Sequence, residues 1–262
     1  MMKEKVIDRV KELLEQGKIQ GFLGLREQSG HVAPYLFTKP EELSELNLGD
    51  KDKPGDVRYP LNKVLIHLAR AYPEATLGVL VRGCDERGLI ELFKWSQLSS
   101  ERVIAVGIAC TADLAQECAC ARPYPEDCVA GEKVEGVAKS AAVEKLDAAS
   151  LQDRFHFWME QFEKCVKCYG CRNVCPMCFC KECTLEEAEL IQKANLPTEN
   201  PIFHLTRAVH MIGRCIDCGL CEEACPADIP LRTLYKKVAD IVSDETGFRP
   251  GASRDEKCPF RV

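Results

Sequence analysis

Two cysteine runs with identical spacing constrain this chain more than any other feature. Each follows the pattern C-x2-C-x2-C-x3-C-P, and the two runs consist of Cys165, Cys168, Cys171, Cys175 and Pro176, and of Cys215, Cys218, Cys221, Cys225 and Pro226. These short spacers are typical of 4Fe-4S clusters, because consecutive thiolates can bind different irons of one cubane. A structural zinc site usually has two C-x2-C pairs separated by a longer arm. The repeated run therefore predicts two 4Fe-4S clusters held close together.

Length, charge and cysteine usage exclude several classes of protein. A chain of 262 residues can bury one large or two modest cores. Its 17 cysteines would suggest a disulfide scaffold in a small secreted protein, but this chain is too large and its cysteine spacings do not fit one. The net charge of −6 and the lack of Lys/Arg runs disfavour nucleic-acid binding. The first eight residues carry charges where a signal peptide is apolar, and no apolar stretch approaches about 20 residues. We expect a cytoplasmic protein without a membrane span.

The first half of the chain contains a β-α-β pattern. Residues 76–81 and 103–108 are apolar runs typical of buried strands, and a turn at 82–85 and a helix at 86–98 separate them. Parallel strands joined in this way end at the same edge of a sheet, so Cys84 and Cys110 should emerge there. We predict an α/β domain over residues 1–145, with a small parallel or mixed sheet and flanking helices.

The second half has helical patterns around the cysteine runs. Ser150 is a candidate cap of a helix leading to Cys165, Thr184 opens a capping box, and prolines precede two further helices. In the helix after Pro201, we expect Ile202, Leu205, Val209 and Ile212 on the inner face. These patterns predict an all-α domain over residues 146–245, similar to the α-helical ferredoxin fold. An extended tail is expected over 246–262.

Further cysteines form two groups. The first is Cys178, Cys180 and Cys183, and the second is Cys84, Cys110, Cys118, Cys120 and Cys128. Either group could bind an additional 4Fe-4S cluster or zinc, since thiolates suit both. Alternatively, Cys84 is a small buried hydrophobe, and Cys258 is a spare thiol. We expect His204 and His210 to be packed or solvated rather than metal ligands.

One stretch carries a resemblance to a known family. The sequence Val81-Arg82-Gly83-Cys84-Asp85-Glu86-Arg87-Gly88-Leu89-Ile90-Glu91-Leu92, followed by Val106-Gly107-Ile108-Ala109-Cys110, resembles the beta-subunit family of coenzyme F420-reducing hydrogenases and formate dehydrogenases. The resemblance runs from about residue 60 to 120, and the run from Cys165 to Cys183 is similar to dicluster members, including subunits associated with heterodisulfide reductase. Such proteins pass electrons between a flavin, clusters and a catalytic partner subunit.

The resemblance implies site residues as well. It assigns one cluster to Cys165, Cys168, Cys171 and Cys225, and the other to Cys215, Cys218, Cys221 and Cys175. It also suggests FAD, for which Arg82, Gly83 and Asp85 at the sheet edge are the candidate ligands, in competition with a cluster site there. Lys164, Lys167, Arg172 and Arg214 flank the cysteine runs and either stabilise reduced clusters or are ordinary solvated cations.

The expected function follows from these features together. The chain contains neither a nucleophile triad nor a P-loop or G-x-G-x-x-G motif, which favours a non-catalytic subunit. We predict an iron-sulfur electron-transfer subunit of an anaerobic oxidoreductase complex, of formate dehydrogenase, hydrogenase or heterodisulfide-reductase-linked type. Its partners would be other redox subunits. The alternatives are a flavin-dependent coenzyme F420-type dehydrogenase subunit and a redox-sensing interaction protein.

Overall fold

A computed structural model describes the protein over residues 1–53, 55–191 and 200–260. The chain divides into two compact units. The first comprises residues 1–138 with 251–254, and the second comprises 139–250 with the residues from 255 onward. No helix within the described ranges is both long and apolar enough to cross a membrane.

The first unit is an α/β unit built on a mixed sheet. Its strands are β1 (Gly21–Gln28), β2 (His31–Phe37), β3 (Leu46–Asn47), β4 (Leu77–Val81) and β5 (Val103–Gly107). They lie in the order β2-β1-β4-β5, with β3 also paired to β1. Strands β2 and β3 run antiparallel to β1, whereas β4 is parallel to both β1 and β5. The helices of this unit are α1 (Met2–Glu15), α2 (Leu61–Ala71), α3 (Gly83–Lys94) and α4 (Ala112–Glu117).

The β-α-β pattern is confirmed by β4, α3 and β5, which form the predicted parallel pair with its crossover helix. Helix α3 begins at Gly83, however, so the predicted turn at 82–85 is wrong and Cys84 lies in the first turn of the helix. The physical reason is a local cap, because the Asp85 carboxylate accepts a hydrogen bond from the Arg82 backbone N–H at 3.0 Å.

The hairpin of β1 and β2 is a feature that the sequence analysis missed. Its turn residues Ser29 and Gly30 have φ values of 53° and 75°, as a two-residue turn of the hairpin type requires. Strand β2 lies at the edge of the sheet, where Pro34 removes no interior ladder hydrogen bond. A Ser-Gly pair between two apolar runs was the available signal.

The second unit is helical throughout its described part. It contains α5 (Ala141–Ala148), α6 (Leu151–Glu163), α7 (Gly170–Asn173), α8 (Asn200–His210), α9 (Leu220–Glu223) and α10 (Leu231–Thr246). The predicted cap is confirmed, since the Ser150 hydroxyl accepts a hydrogen bond from the Asp153 N–H at 3.1 Å. The helix predicted to open at Thr184 is only a 3-10 turn, Thr184–Glu186, and no α-helix follows it up to residue 191. Residues 192–199 lie outside the described ranges.

The predicted inner face of α8 is wrong. Ile202, Leu205 and Val209 are 44%, 51% and 52% exposed, whereas Phe203, His204 and Arg207 are buried. The His204 ring stacks on Phe162 of α6 with centroids 4.6 Å apart, which turns this face of α8 inward. An aliphatic stripe and an aromatic-polar stripe share the same helical period, so only the neighbouring elements decide which one is buried.

The orientation of α8 yields a stability prediction. Phe203→Ala should lower the free energy of unfolding by about 3–5 kcal/mol, because it empties a fully buried position. The matched change Leu205→Ala, two residues further along α8 on the half-exposed face, should cost about 1 kcal/mol or less. Urea unfolding followed by circular dichroism measures both. A larger loss for Leu205→Ala than for Phe203→Ala would contradict the orientation.

Candidate metal centres

The two cysteine runs fold into the same local structure. Lys167 and Tyr169 in the first run have φ values of 48° and 60°, and Asp217 and Gly219 at the equivalent positions of the second have 54° and 78°. One-turn helices follow, α7 in the first run and α9 in the second. Left-handed backbone is uncommon in residues other than glycine, so its recurrence at matching positions indicates a functional constraint on both loops.

These left-handed residues turn backbone N–H groups toward sulfur atoms. The Lys167 N–H donates to Cys165 Sγ and the Gly170 N–H to Cys168 Sγ, both at 3.4 Å. In the second run, the Asp217 backbone N–H likewise donates to Cys215. Successive N–H groups arranged in this way form concave nests for anions and for Fe-S clusters. The loops therefore suit thiolates bound to iron.

The two runs pack directly against each other. Helix α7 contacts α9, and Gly170 lies against the Ala224 carbonyl, so closely that a Cβ on Gly170 would be 2.9 Å from that oxygen. Ala224 immediately precedes Cys225. This contact brings the last cysteine of the second run to the first three cysteines of the first.

The thiols of Cys165, Cys168, Cys171 and Cys225 form one neighbourhood. Burial raises the pKa of Cys165, and the nearby thiols of Cys168 and Cys225 raise it further. Burial also raises the pKa of Cys171, and the nearby thiols of Cys165, Cys168 and Cys225 raise it further. These four thiols are the set that the resemblance assigned to one cluster.

The other four thiols, Cys175, Cys215, Cys218 and Cys221, line one small cavity. Burial, followed by the Asp217 carboxylate, raises the pKa of Cys215 to about 12. Burial and then the thiols of Cys218 and Cys215 raise the pKa of Cys221. Without metal the thiols of Cys215 and Cys221 stay protonated at neutral pH, so metal binding there would have to release their protons.

The chemistry of these donors fits 4Fe-4S clusters, since each neighbourhood offers four thiols and two nests supply N–H donors. Among the described residues, no three His, Cys, Asp or Glu side chains are arranged to hold a single metal ion. His204 is packed, as expected, because it is buried against Phe162. Burial, with a smaller effect of Arg207, lowers its pKa to about 4, so its ring is neutral.

The additional thiols Cys178, Cys180 and Cys183 line a second cavity together with three arginines. Arg207 Nη1 lies 3.2 Å from Cys178 Sγ, and Arg214 Nη1 lies 3.9 Å from Cys180 Sγ. Cys183 interacts electrostatically with Arg172, which also pairs with Glu186 at 2.7 Å. Arg172 and Arg214, expected beside the cluster ligands, therefore reach these thiols. Lys164 donates to Gln161 Oε1 at 2.8 Å instead.

Arg207 is the residue of this region that sequence reasoning missed. It is 2% exposed, and its Nη2 donates to the Cys171 carbonyl oxygen at 2.9 Å. The guanidinium carbon lies 5.6 Å from the centre of the Tyr235 ring. The available signal was a basic residue one turn after the aromatic pair Phe203-His204, on the face opposite the aliphatic stripe.

The cysteines of the first unit lie around the carboxyl ends of β4 and β5. Two of them are beside arginines, with Arg82 Nη1 3.7 Å from Cys110 Sγ and Arg87 Nη2 3.7 Å from Cys120 Sγ. Cys118 ends α4, and the Cys128 thiol donates to the Ala130 carbonyl oxygen at 3.0 Å. A further metal site among these thiols stays a prediction.

The residues suggested for FAD do not fit a flavin at this strand edge. Gly83 is packed against the backbone of Arg122 and Tyr124, with no room for a Cβ. Arg82 Nη2 donates to the Leu48 carbonyl oxygen at 2.7 Å, and burial raises the pKa of Asp85. The chain's own segments thus fill the edge, and we derive no step through a flavin there.

Comparison with known proteins identifies one matching domain family and several similar proteins. Residues 164–230 match the model of the 4Fe-4S dicluster domain. The chain is 37% identical over 134 residues to the F420-dependent formate dehydrogenase subunit beta of Methanocaldococcus jannaschii, which covers 50% of this chain and 35% of that protein. It is 41% identical over 102 residues, 39% of this chain and 26% of the relative, to the F420-dependent formate dehydrogenase 1 subunit beta of Methanococcus maripaludis.

A shorter similarity is to the NADH-quinone oxidoreductase subunit I 2 of Geobacter metallireducens, 42% identical over 65 residues, 25% of this chain and 41% of that protein. The chain spans about a third or less of the length of the formate dehydrogenase subunits it matches. Over the matched regions, the chain is similar to F420-dependent formate dehydrogenase beta subunits, and its helical region matches the 4Fe-4S dicluster domain.

Proposed function

We propose that this chain is an electron-transfer subunit of a formate dehydrogenase-type oxidoreductase complex. The observation that carries the proposal is the packing of the two cysteine runs into one helical unit, with two neighbourhoods of four thiols each. When bound, 4Fe-4S clusters accept and release one electron at a time. Two such centres close together can pass electrons along the unit.

The chain's own residues have distinct parts in this proposal. Cys165, Cys168, Cys171 and Cys225 hold one cluster, and Cys215, Cys218, Cys221 and Cys175 hold the other. The backbone N–H groups of Lys167 and Gly170 orient the first thiolates and stabilise their negative charge. Arg232 positions the second loop, because its Nε donates to the Asp217 carboxylate at 3.0 Å and its Nη2 to the Asp217 carbonyl oxygen at 2.8 Å.

The proposed partners are other redox subunits, in the cytoplasm of an anaerobe. The relatives are named as beta subunits of F420-dependent formate dehydrogenases, which supports a subunit role for this chain. We assign residues 1–145 to an α/β domain, 146–245 to a helical dicluster domain and 246–262 to a tail. The first domain would then offer the surface on which the partner subunits dock. The second domain would carry electrons through its clusters.

Iron and sulfide analysis tests the cluster number. The protein purified anaerobically and reconstituted should bind about eight irons and eight sulfides, as two cubanes require. Cys168→Ser and Cys221→Ser should each leave about four irons, because each removes a ligand of a different cluster. The control Cys258→Ser lies outside both runs and should keep the full iron content. About four irons in the unaltered protein would contradict the proposal.

The same analysis tests the further cysteines. If Cys178, Cys180 and Cys183, or the thiols of the first unit, bind cubanes, the unaltered protein should contain about twelve or sixteen irons. Replacing Cys180 by Ser should then remove about four of them while both main clusters keep their electron paramagnetic resonance (EPR) signals. A count of about eight, unchanged in Cys180→Ser, would contradict a third cluster at this trio.

The assignment of the fourth cysteines can be tested with pairs of variants. Cys168→Ser/Cys225→Ser should lose no more iron than Cys168→Ser alone, because both residues serve the same cluster in this assignment. Cys168→Ser/Cys175→Ser should lose the iron of both clusters. The opposite pattern would show that each run binds its own cluster with its own four cysteines. Iron content and EPR of the reduced proteins distinguish the two patterns.

A further inference from the structure

We propose that Tyr235 and Arg207 donate hydrogen bonds to the cluster held by Cys175, Cys215, Cys218 and Cys221, and thereby raise its reduction potential. This inference rests on the proposed function, because it requires a cluster in the cavity that these four thiols line. Neither residue belongs to a cysteine run. Tyr235 lies on α10 and Arg207 on α8, so two helices outside the loops would tune the centre.

Tyr235 presents a buried hydroxyl to this cavity. The residue is 3% exposed and lines the cavity together with the four thiols. Its hydroxyl finds no hydrogen-bond partner among the described residues. A buried hydroxyl without a partner is costly, so an acceptor at this position would stabilise the unit. Burial raises the pKa of Tyr235, and the thiols of Cys221, Cys171 and Cys215 raise it further. The hydroxyl therefore stays protonated and can donate a hydrogen bond.

Arg207 presents a second donor to the same cavity. Its Nη1 and Nη2 donate to Cys178 Sγ and to the Cys171 carbonyl oxygen, whereas its Nε has no partner among the described residues. The charged and titratable groups that act on it are Tyr235, Cys175, Cys178 and Cys171. A buried guanidinium among thiols needs negative charge nearby to offset the loss of hydration. Thiolates bound to iron would provide that charge.

The Tyr235 hydroxyl and the Arg207 Nε therefore both lack an acceptor among the described residues, and both residues line the cavity of the same four thiols. The thiolates and sulfides of a 4Fe-4S cluster are acceptors of this kind. Hydrogen bonds and positive charge stabilise the reduced state more than the oxidised state, because reduction adds a negative charge. Removal of either donor should lower the reduction potential.

An EPR-monitored redox titration of the reconstituted full chain tests this inference. Tyr235→Phe removes one oxygen atom and should shift the reduction equilibrium of this cluster about tenfold toward the oxidised form, equivalent to about 59 mV for one electron. Titration in the Cys168→Ser background isolates this cluster from the other. Tyr72→Phe, the same chemical change at a 57% exposed position of the first unit, should leave the potential unchanged.

Arg207 gives an independent measurement. Arg207→Lys keeps a positive charge but loses the planar set of donors, and Arg207→Met loses both. We expect the potential to fall in both variants and further in Arg207→Met. Because Arg207 also contacts the Cys171 carbonyl, the potential of the other cluster should fall as well, whereas Tyr235→Phe should affect it less.

The outcomes separate this inference from the proposed function. Full iron content with an unchanged potential in Tyr235→Phe would overturn the inference and leave the electron-transfer role intact. Loss of this cluster from Tyr235→Phe would also overturn it, since Tyr235 would then have a structural role. An unaltered chain that binds no iron would instead overturn the proposed function.

Discussion

The second unit depends on bringing thiols from two distant runs to a common centre. The contact of α7 with α9, with Gly170 against the Ala224 carbonyl, achieves this. Left-handed residues in each loop direct backbone N–H groups toward sulfur. Since burial raises the pKa of Cys215 and Cys221, iron bound in the proposed assembly would have to replace their protons.

Helix α8 shows how strongly this requirement shapes the surrounding structure. It exposes Ile202, Leu205 and Val209, and it buries His204 and Arg207. Burial of a cation would destabilise an ordinary helical unit. Beside the anionic cluster of the proposed function, the same cation would stabilise the bound form, and the neutral His204 ring stacks on Phe162 on the same face of α8. The electrostatics of the site therefore outweigh the usual preference for aliphatic burial.

The first unit uses its strand edge differently from an open ligand site. Strands β4 and β5 end where α/β sheets commonly bind cofactors, but the backbone at 122–124 packs against Gly83. Arg82 and Arg87 reach Leu48, Cys110, Arg122 and Cys120 rather than an open cleft. Of the cysteines around this edge, Cys110 and Cys120 thus lie close to guanidinium groups.

The sequence alone determined the chemistry and the class of each half. Spacing within a run of twelve residues dictates a local loop, so C-x2-C-x2-C-x3-C-P predicted the 4Fe-4S dicluster domain. Two apolar runs separated by a helical pattern predicted the β-α-β unit. Tertiary structure decided what depends on contacts between distant residues. It selected the buried face of α8, brought Cys225 beside Cys165, and placed Arg207 and Tyr235 at the second cavity. Helical periodicity is the same for every stripe of a helix, and only packing against other elements selects one.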